Sequence, residues 1–400
     1  MEFISRYLKA NEGTAVPTLY HAWAAVSLIN MILARRVYVD HGYFQIRPMM
    51  YMLFVGAPSI KKTTALVAQS TMFQEVWPDH PLGASITTRE DIVKRMSSDE
   101  CLRTYTDELG SVISYKPFYL FVDEFANFLS FNPVGMVQFL TGIYDTKFFD
   151  SSTIVRGKEP ILNPCLNFVG CTTPKDIHEK FKSSLVGGGF SRRMILIHEP
   201  VTPARVAFPF RSQESIEAWD WCIAHLRKIS TIASPVIWDP TGRAFFRDWY
   251  EQIKIPEDPI LEGYYGSKDI IMQKIAIALC ASQEEPNFVF TKPILEAAIA
   301  MLESNEENLP SLTVAAGRNE LAAYQHLLLV NLSSNSGMMT EKRFHMMASS
   351  NMTESEYISV KNFLKTTDQI YEVLAEVKGK NEVVIVNKAR YDEIKKKGEV

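Results

Sequence analysis

An α/β fold built on a largely parallel sheet, closed by a small module of helices and a β-wing, is what the sequence predicts. Three observations carry that expectation. Short apolar runs near 51–55, 84–88, 118–122, 165–169 and 194–197 alternate with helical patterns, as parallel strands wrapped by helices do. One of those runs, Tyr51–Val55, leads directly into a Gly-led turn that ends in Lys and Thr. Toward the carboxyl end, three helical patterns are followed by two β-prone runs.

In chain order, Pro17 suits the first turn of a helix over Thr18–Ala34, which ends at Arg35–Arg36, where cations complement the helix dipole. A short strand, Val37–Asp40, and a turn at His41–Gly42 lead to the run at Tyr51–Val55. Ser85–Thr88 reads as a strand and Glu90–Met96 as the helix it caps; Met136–Tyr144 is amphipathic. Thr153–Val155 and Pro160–Leu162 flank Arg156, Gly157 and Lys158, which is a hairpin with a basic tip. A buried strand, Cys165–Val169, follows, and then Thr172–Thr173, a Gly187–Gly189 run, Arg192–Arg193 and a last strand at Met194–Ile197.

Prolines 200, 203 and 209 mark a boundary, and 214–307 is helical in pattern. From Gly317 the pattern gives helices at Asn319–Leu332 and Thr340–Ala348 and a third opened by Thr353 with Glu356, a capping box. Strands at Ile370–Val377 and Glu382–Val386 complete a winged-helix pattern, a module that binds DNA or serves as a protein contact. The expected organisation is a helical segment at 1–45, a core at 46–205, a helical region at 206–312 and the winged-helix domain at 313–400.

Composition narrows the function classes. A net charge of −4 over 400 residues excludes a uniformly basic surface, so any nucleic-acid contact must be local. The five cysteines form no C-x-x-C pair and read as buried thiols of a reducing cytoplasm. Val16–Ala34 is the most hydrophobic stretch, but Thr18, Tyr20, His21, Ser27 and Asn30 make it a core helix and no membrane span.

The chemistry concentrates at Gly56–Thr64, GAPSIKKTT. Strand, Gly-led turn and Lys-Thr at a helix start make a P-loop. Backbone N–H groups around Gly56, Ser59, Lys61 and Thr64 are expected to cradle the phosphates of ATP, Lys62 to reach the β/γ oxygens and Thr63 to ligate Mg²⁺. Lys61 stands where the usual pattern has a second Gly, so it must take a left-handed conformation or the loop must be built differently. The run Phe118–Val122 ends in Asp123 and Glu124, placing Asp123 on Mg²⁺ and Glu124 on the attacking water.

That order of parts resembles the AAA+ ATPases, and within them the minichromosome-maintenance-like branch. It also resembles the helicase-like ATPase domains carried beside primases by phages, plasmids and other mobile elements. Residues 20–44 (YHAWAAVSLINMILARRVYVDHGYF), 161–174 (ILNPCLNFVGCTTP) and 187–197 (GGGFSRRMILI) carry the likeness, which covers most of 15–310. The resemblance implies an AAA+ core at 46–205 with a helical lid at 206–312. It makes Thr173 the sensor, where Asn is frequent, and Arg193 the finger, with Arg192 as alternative. The lid of such proteins usually supplies a cation to the γ-phosphate, and the resemblance makes Lys268 and Lys274 the candidates here. It further implies a hexameric ring acting on single-stranded or forked DNA, with Arg156 and Lys158 as pore-loop cations and a primase or initiator as a separate chain. The alternative is an AAA+ switch or loader that uses ATP to place a partner protein on DNA; a packaging or defence ATPase is a third reading.

Overall fold

The computed structural model describes residues 2–153, 157–179, 189–200, 206–256, 261–310, 312, 328–329, 331–348, 353–377 and 380–396. The chain divides into two compact units, Met1–Thr313 and Val314–Val400. Both are α/β.

In the first unit, β1 (Val37–Asp40) and β2 (Gln45–Ile46) precede β3 (Tyr51–Val55), which is buried along its whole length. Next come β4 (Arg103–Thr106) and β5 (Val112–Val122), then β6 (Phe148–Thr153) and β7 (Gly157–Leu162). β8 (Pro164–Thr172), β9 (Met194–His198), β10 (Ser234–Trp238) and β11 (Val289–Phe290) complete it. The central sheet has the order β4-β5-β8-β3-β9. Its β5, β8, β3 and β9 are mutually parallel, and β4 is an antiparallel edge. Continuous apolar sequence in β3, β8 and β9 fits strands covered on both faces.

A second sheet, β11-β10-β1-β2, joins segments nearly two hundred residues apart. β1 runs parallel to β10, with Val37 opposite Ser234. The Glu2–Ala10 helix packs on the Gln213–Ile229 helix, and Phe3 N–H donates to Ser282 O at 2.9 Å. One hydrophobic core takes in Phe3, Trp23, Phe54, Phe168, Leu226, Ile275 and Leu312. The amino-terminal segment, the central sheet and the 206–312 region therefore build it together. Helix Thr18–Leu33 lies inside this core, and no helix among the described residues is long and apolar enough to cross a membrane. All five cysteines are free and buried.

Residues 84–88 do not form the expected strand. Leu82 makes a single parallel bridge to Tyr119 instead. Pro81 has no N–H for a ladder, and a Cβ at Gly83 would lie 2.2 Å from Leu120 Cδ2. Thr88 then turns the chain into the Arg89–Ser97 helix by accepting from Asp91 N–H. The basic hairpin is longer than its sequence signal. β6 and β7 pair from Phe148–Leu162 to Thr153–Gly157, with Gly157 at φ +71° closing the described part of the ribbon.

In the second unit, β12 (Met338–Thr340), β13 (Ile370–Val377) and β14 (Lys380–Asn387) form an antiparallel sheet in the order β12-β14-β13. Helices Glu341–Ala348 and Glu354–Thr366 pack on it through Phe344, Val360 and Leu364. The expected helix at Asn319–Leu332 lies largely outside the described residues. A helix at Lys388–Lys396, which the sequence pattern did not signal, follows β14 and stacks Tyr391 on Tyr371 at 4.0 Å.

Candidate nucleotide site

Ligands of open parallel sheets sit at the carboxyl ends of the strands, and the sequence-predicted P-loop leaves β3 at that edge. Gly56 is required for space, since a Cβ there would lie 2.4 Å from the Tyr20 hydroxyl and 2.8 Å from Ile60 Cγ2. Tyr20 donates to Val55 O at 2.7 Å, and the same carbonyl meets His198 Nδ1 at 3.0 Å and Glu199 N–H at 3.3 Å. The root of the loop is thus pinned from a helix and from β9. Burial keeps His198 below the usual imidazole range. Neither Tyr20 nor His198 was expected here. Their only signal was a polar tip inside an apolar run.

Two loop residues take left-handed backbone, Ser59 at φ +71° and Lys61 at φ +66°. Lys61 is the N-cap of the Lys62–Val76 helix, so the chain accepts the strain that the missing glycine implied. The first N–H groups of a helix lack i−4 acceptors and offer themselves to an anion. We expect Lys61→Val to be less stable than Lys61→Gly by at least about 1 kcal/mol in denaturant unfolding, because a β-branched residue disfavours φ > 0. Equal stabilities would mean that the loop relaxes to another conformation.

Lys62 is 9% exposed, and its ammonium donates to Gly56 O at 2.7 Å and Ala57 O at 2.9 Å. The amine is folded over the loop that a phosphate chain would thread. Burial pulls its pKa down, with Cys171, Asp123 and Asp176 opposing. Thr63 donates to Asp123 Oδ1 at 2.5 Å, which joins the two motifs across the sheet although β8 separates β5 from β3. Glu124 is exposed beside it and accepts from the Asn127 side chain, an arrangement held by the short Phe125–Phe128 helix. Thr64, one residue on, donates its N–H to Lys61 O at 3.1 Å.

Thr172 and Thr173 end β8 next to the loop. Thr173 caps the Pro174–Glu179 helix, with its hydroxyl 2.8 Å from Asp176 Oδ2 and accepting from Asp176 N–H at 3.2 Å. Among the described residues the buried Thr172 hydroxyl meets no partner; it lies one pairing position from Gly56. Asp176 is the acidic member that the sequence reading missed; Thr-Pro-Lys-Asp was its signal, a capping box.

The remaining candidates lie elsewhere. Arg193 precedes β9 at its amino end, where Met194 pairs with Tyr51, whereas the P-loop follows Val55. Four residues of strand, about 13 Å, separate the two edges. Arg192, the alternative, is exposed. Lys268 pairs with Glu306 at 2.7 Å, both side chains 11% exposed, and lies over the Tyr265 ring. Lys274 donates to Met49 O, Tyr144 Oη and Asp145 Oδ2 at 2.7, 2.6 and 3.2 Å. Those bonds use all of its N–H donors at the edge opposite the P-loop. Neither lid lysine is joined to the P-loop by a described polar contact. Lys158 lies within β7 opposite Ser152 rather than at the tip, and Arg156 is outside the described residues.

No protein-family model matches the chain, and no curated protein matches it.

Proposed function

We propose that the first unit binds and hydrolyses ATP with Mg²⁺, and that the protein is a ring-forming, ATP-driven DNA translocase or helicase serving replication of a phage or other mobile element. The Thr63–Asp123 hydrogen bond carries the nucleotide part, because it brings the metal-binding members of two distant motifs into contact. The residues fit the group: a hydroxyl and a carboxylate meet in one hydrogen bond, an ammonium rests on the loop carbonyls, and a second carboxylate follows Asp123 in the chain. Mg²⁺ bound there would neutralise charge on the β/γ oxygens. Lys62 would exchange its two carbonyl acceptors for phosphate oxygens, Glu124 would orient and deprotonate water, and Thr173 would act as sensor. In this reading the five-stranded sheet is an AAA+ core, 206–312 its lid and the second unit a winged-helix domain.

The position of Arg193 supports assembly. From the edge opposite its own P-loop, it suits a nucleotide held by a neighbouring subunit. The β6–β7 ribbon supports a DNA contact, since it lies in sequence between the strands that end in Asp123 and Thr172. A primase or initiator would be a separate chain.

One observation favours the switch or loader for the second unit. Lys361 is paired with Glu341 and Glu372, and Lys365 with Glu372, so the cations of helix Glu354–Thr366 are already neutralised. Ile358 and Phe363 stand exposed on that helix, which suits a protein contact more than a phosphate backbone.

The deciding experiment is the Arg156→Ala, Lys158→Ala double variant. For the translocase, basal ATPase and ring formation persist, while DNA stimulation and unwinding are lost. The salt dependence of DNA binding should flatten by a slope of about one per phosphate contact removed. Normal unwinding by the double variant would reject the ribbon as the DNA contact and favour the switch.

A further inference from the structure

At the edge of the central sheet opposite the P-loop, Tyr144 follows the Pro133–Ile143 helix as its C-cap, with two cations near its ring. Lys274 Nζ lies 4.3 Å from the ring centroid and Arg193 Cζ 5.6 Å. The ring itself is held on several sides. Tyr51, the first residue of β3, packs against it edge-on at 4.8 Å. Its hydroxyl donates to Met49 O at 3.1 Å and accepts from Lys274 at 2.6 Å. Lys274, with its side chain 1% exposed, anchors the hydroxyl, and the edge-on contact with Tyr51 holds the ring itself.

Arg193 is held far less firmly. Among the described residues its guanidinium makes one hydrogen bond, Nη1 to Gly189 O at 2.6 Å, and its buried Nε meets no partner. A guanidinium with one bond to a loop carbonyl swings about that bond unless a flat surface limits it. The Tyr144 face is that surface, since aromatic faces attract and orient guanidinium groups. We propose that Tyr144 is a positioning residue for Arg193, its aromatic face fixing the guanidinium for use on a neighbouring subunit's ATP. The proposal rests on the reading of Arg193 as a residue acting between subunits.

The test compares Tyr144→Met with Tyr144→Phe in the assembled full-length protein. Both lose the hydroxyl and keep apolar bulk, but only Phe keeps the aromatic face. Tyr144→Met should lower kcat roughly 10-fold to 100-fold with KM for ATP unchanged, as a misplaced catalytic group does, while Tyr144→Phe stays near wild type. The Tyr144→Met, Arg193→Ala double variant should be no slower than Arg193→Ala alone, and mixing Tyr144→Met with Lys62→Ala subunits should restore activity. Losses that multiply in the double variant, or equal rates for Met and Phe, would overturn the proposal; a purely structural Tyr144 gives the first. If Tyr144→Met does not fold, Gly189→Ala replaces it. That change leaves the ring in place and sets a Cβ 3.0 Å from Arg193 Nη1, so it must also lower kcat alone; an unchanged kcat overturns the proposal. Full hydrolysis by Arg193→Ala is a separate outcome, which removes the inter-subunit reading itself.

Discussion

Glu124→Gln should bind ATP as the wild type does and hydrolyse it roughly 10²–10⁴-fold more slowly, the loss typical of removing a positioned general base. The substitution is mild in the fold. Glu124 is exposed, and its side chain's described partner is the Asn127 amide, which a Gln oxygen can also accept. Asp123 and its bond to Thr63 are untouched, so the pair proposed to hold Mg²⁺ survives. Lys62→Ala should behave in the opposite way. It removes the ammonium that rests on Gly56 and Ala57 carbonyls, and nucleotide binding itself should weaken. Measuring equilibrium nucleotide binding and single-turnover hydrolysis on both variants separates the roles. A Glu124→Gln protein that turns over at the normal rate would show that another group polarises the water, with Asp176, which acts electrostatically on Lys62, the next carboxylate to test.

What the sequence revealed of this site was local. The apolar run Tyr51–Val55 with its Gly-led turn, and the run Phe118–Val122 with its acids, are each written in a few consecutive residues. Thr63 and Asp123, which the motif reading assigned to one metal, meet through a hydrogen bond. The hidden parts depend on distant partners. Lys268 and Lys274 look like free cations until burial sets them against Glu306 and Asp145, 38 and 129 positions away. The sheet of β1, β2, β10 and β11 uses runs of two to five residues, too short to announce an α/β pairing across the chain. Arg103–Thr106, Arg-Thr-Tyr-Thr, is polar on alternate positions because it is an edge strand with a solvent side. The 84–88 expectation read the cap of the following helix correctly and erred in adding a strand before it, since Thr88 turns the chain into that helix.

Arg193→Ala should bind ATP normally and lose about 10³–10⁵ in hydrolysis rate, the contribution of an arginine that stabilises charge on a transferring phosphoryl group. Geometry makes the origin of that arginine testable. Arg193 stands beside the Met194–Tyr51 pair and Lys62 beyond the Val55–His198 pair, so the two are at opposite ends of adjacent parallel strands. A side chain of Arg's length does not cover that span and still approach a phosphate of its own subunit. The guanidinium also turns away from its own loop, toward Gly189 O and the Tyr144 ring. A ring or stack of subunits removes the conflict by presenting one subunit's β9 edge to the next subunit's P-loop. Mixing Arg193→Ala with Lys62→Ala chains is therefore expected to restore part of the activity that each lacks alone. Some interfaces then pair an intact loop on one chain with an intact arginine on the other. The measurement is ATPase rate against mixing ratio after co-assembly, with a maximum near equal amounts. A flat response in fully mixed assemblies, with both single variants inactive, would mean that Arg193 acts within its own chain.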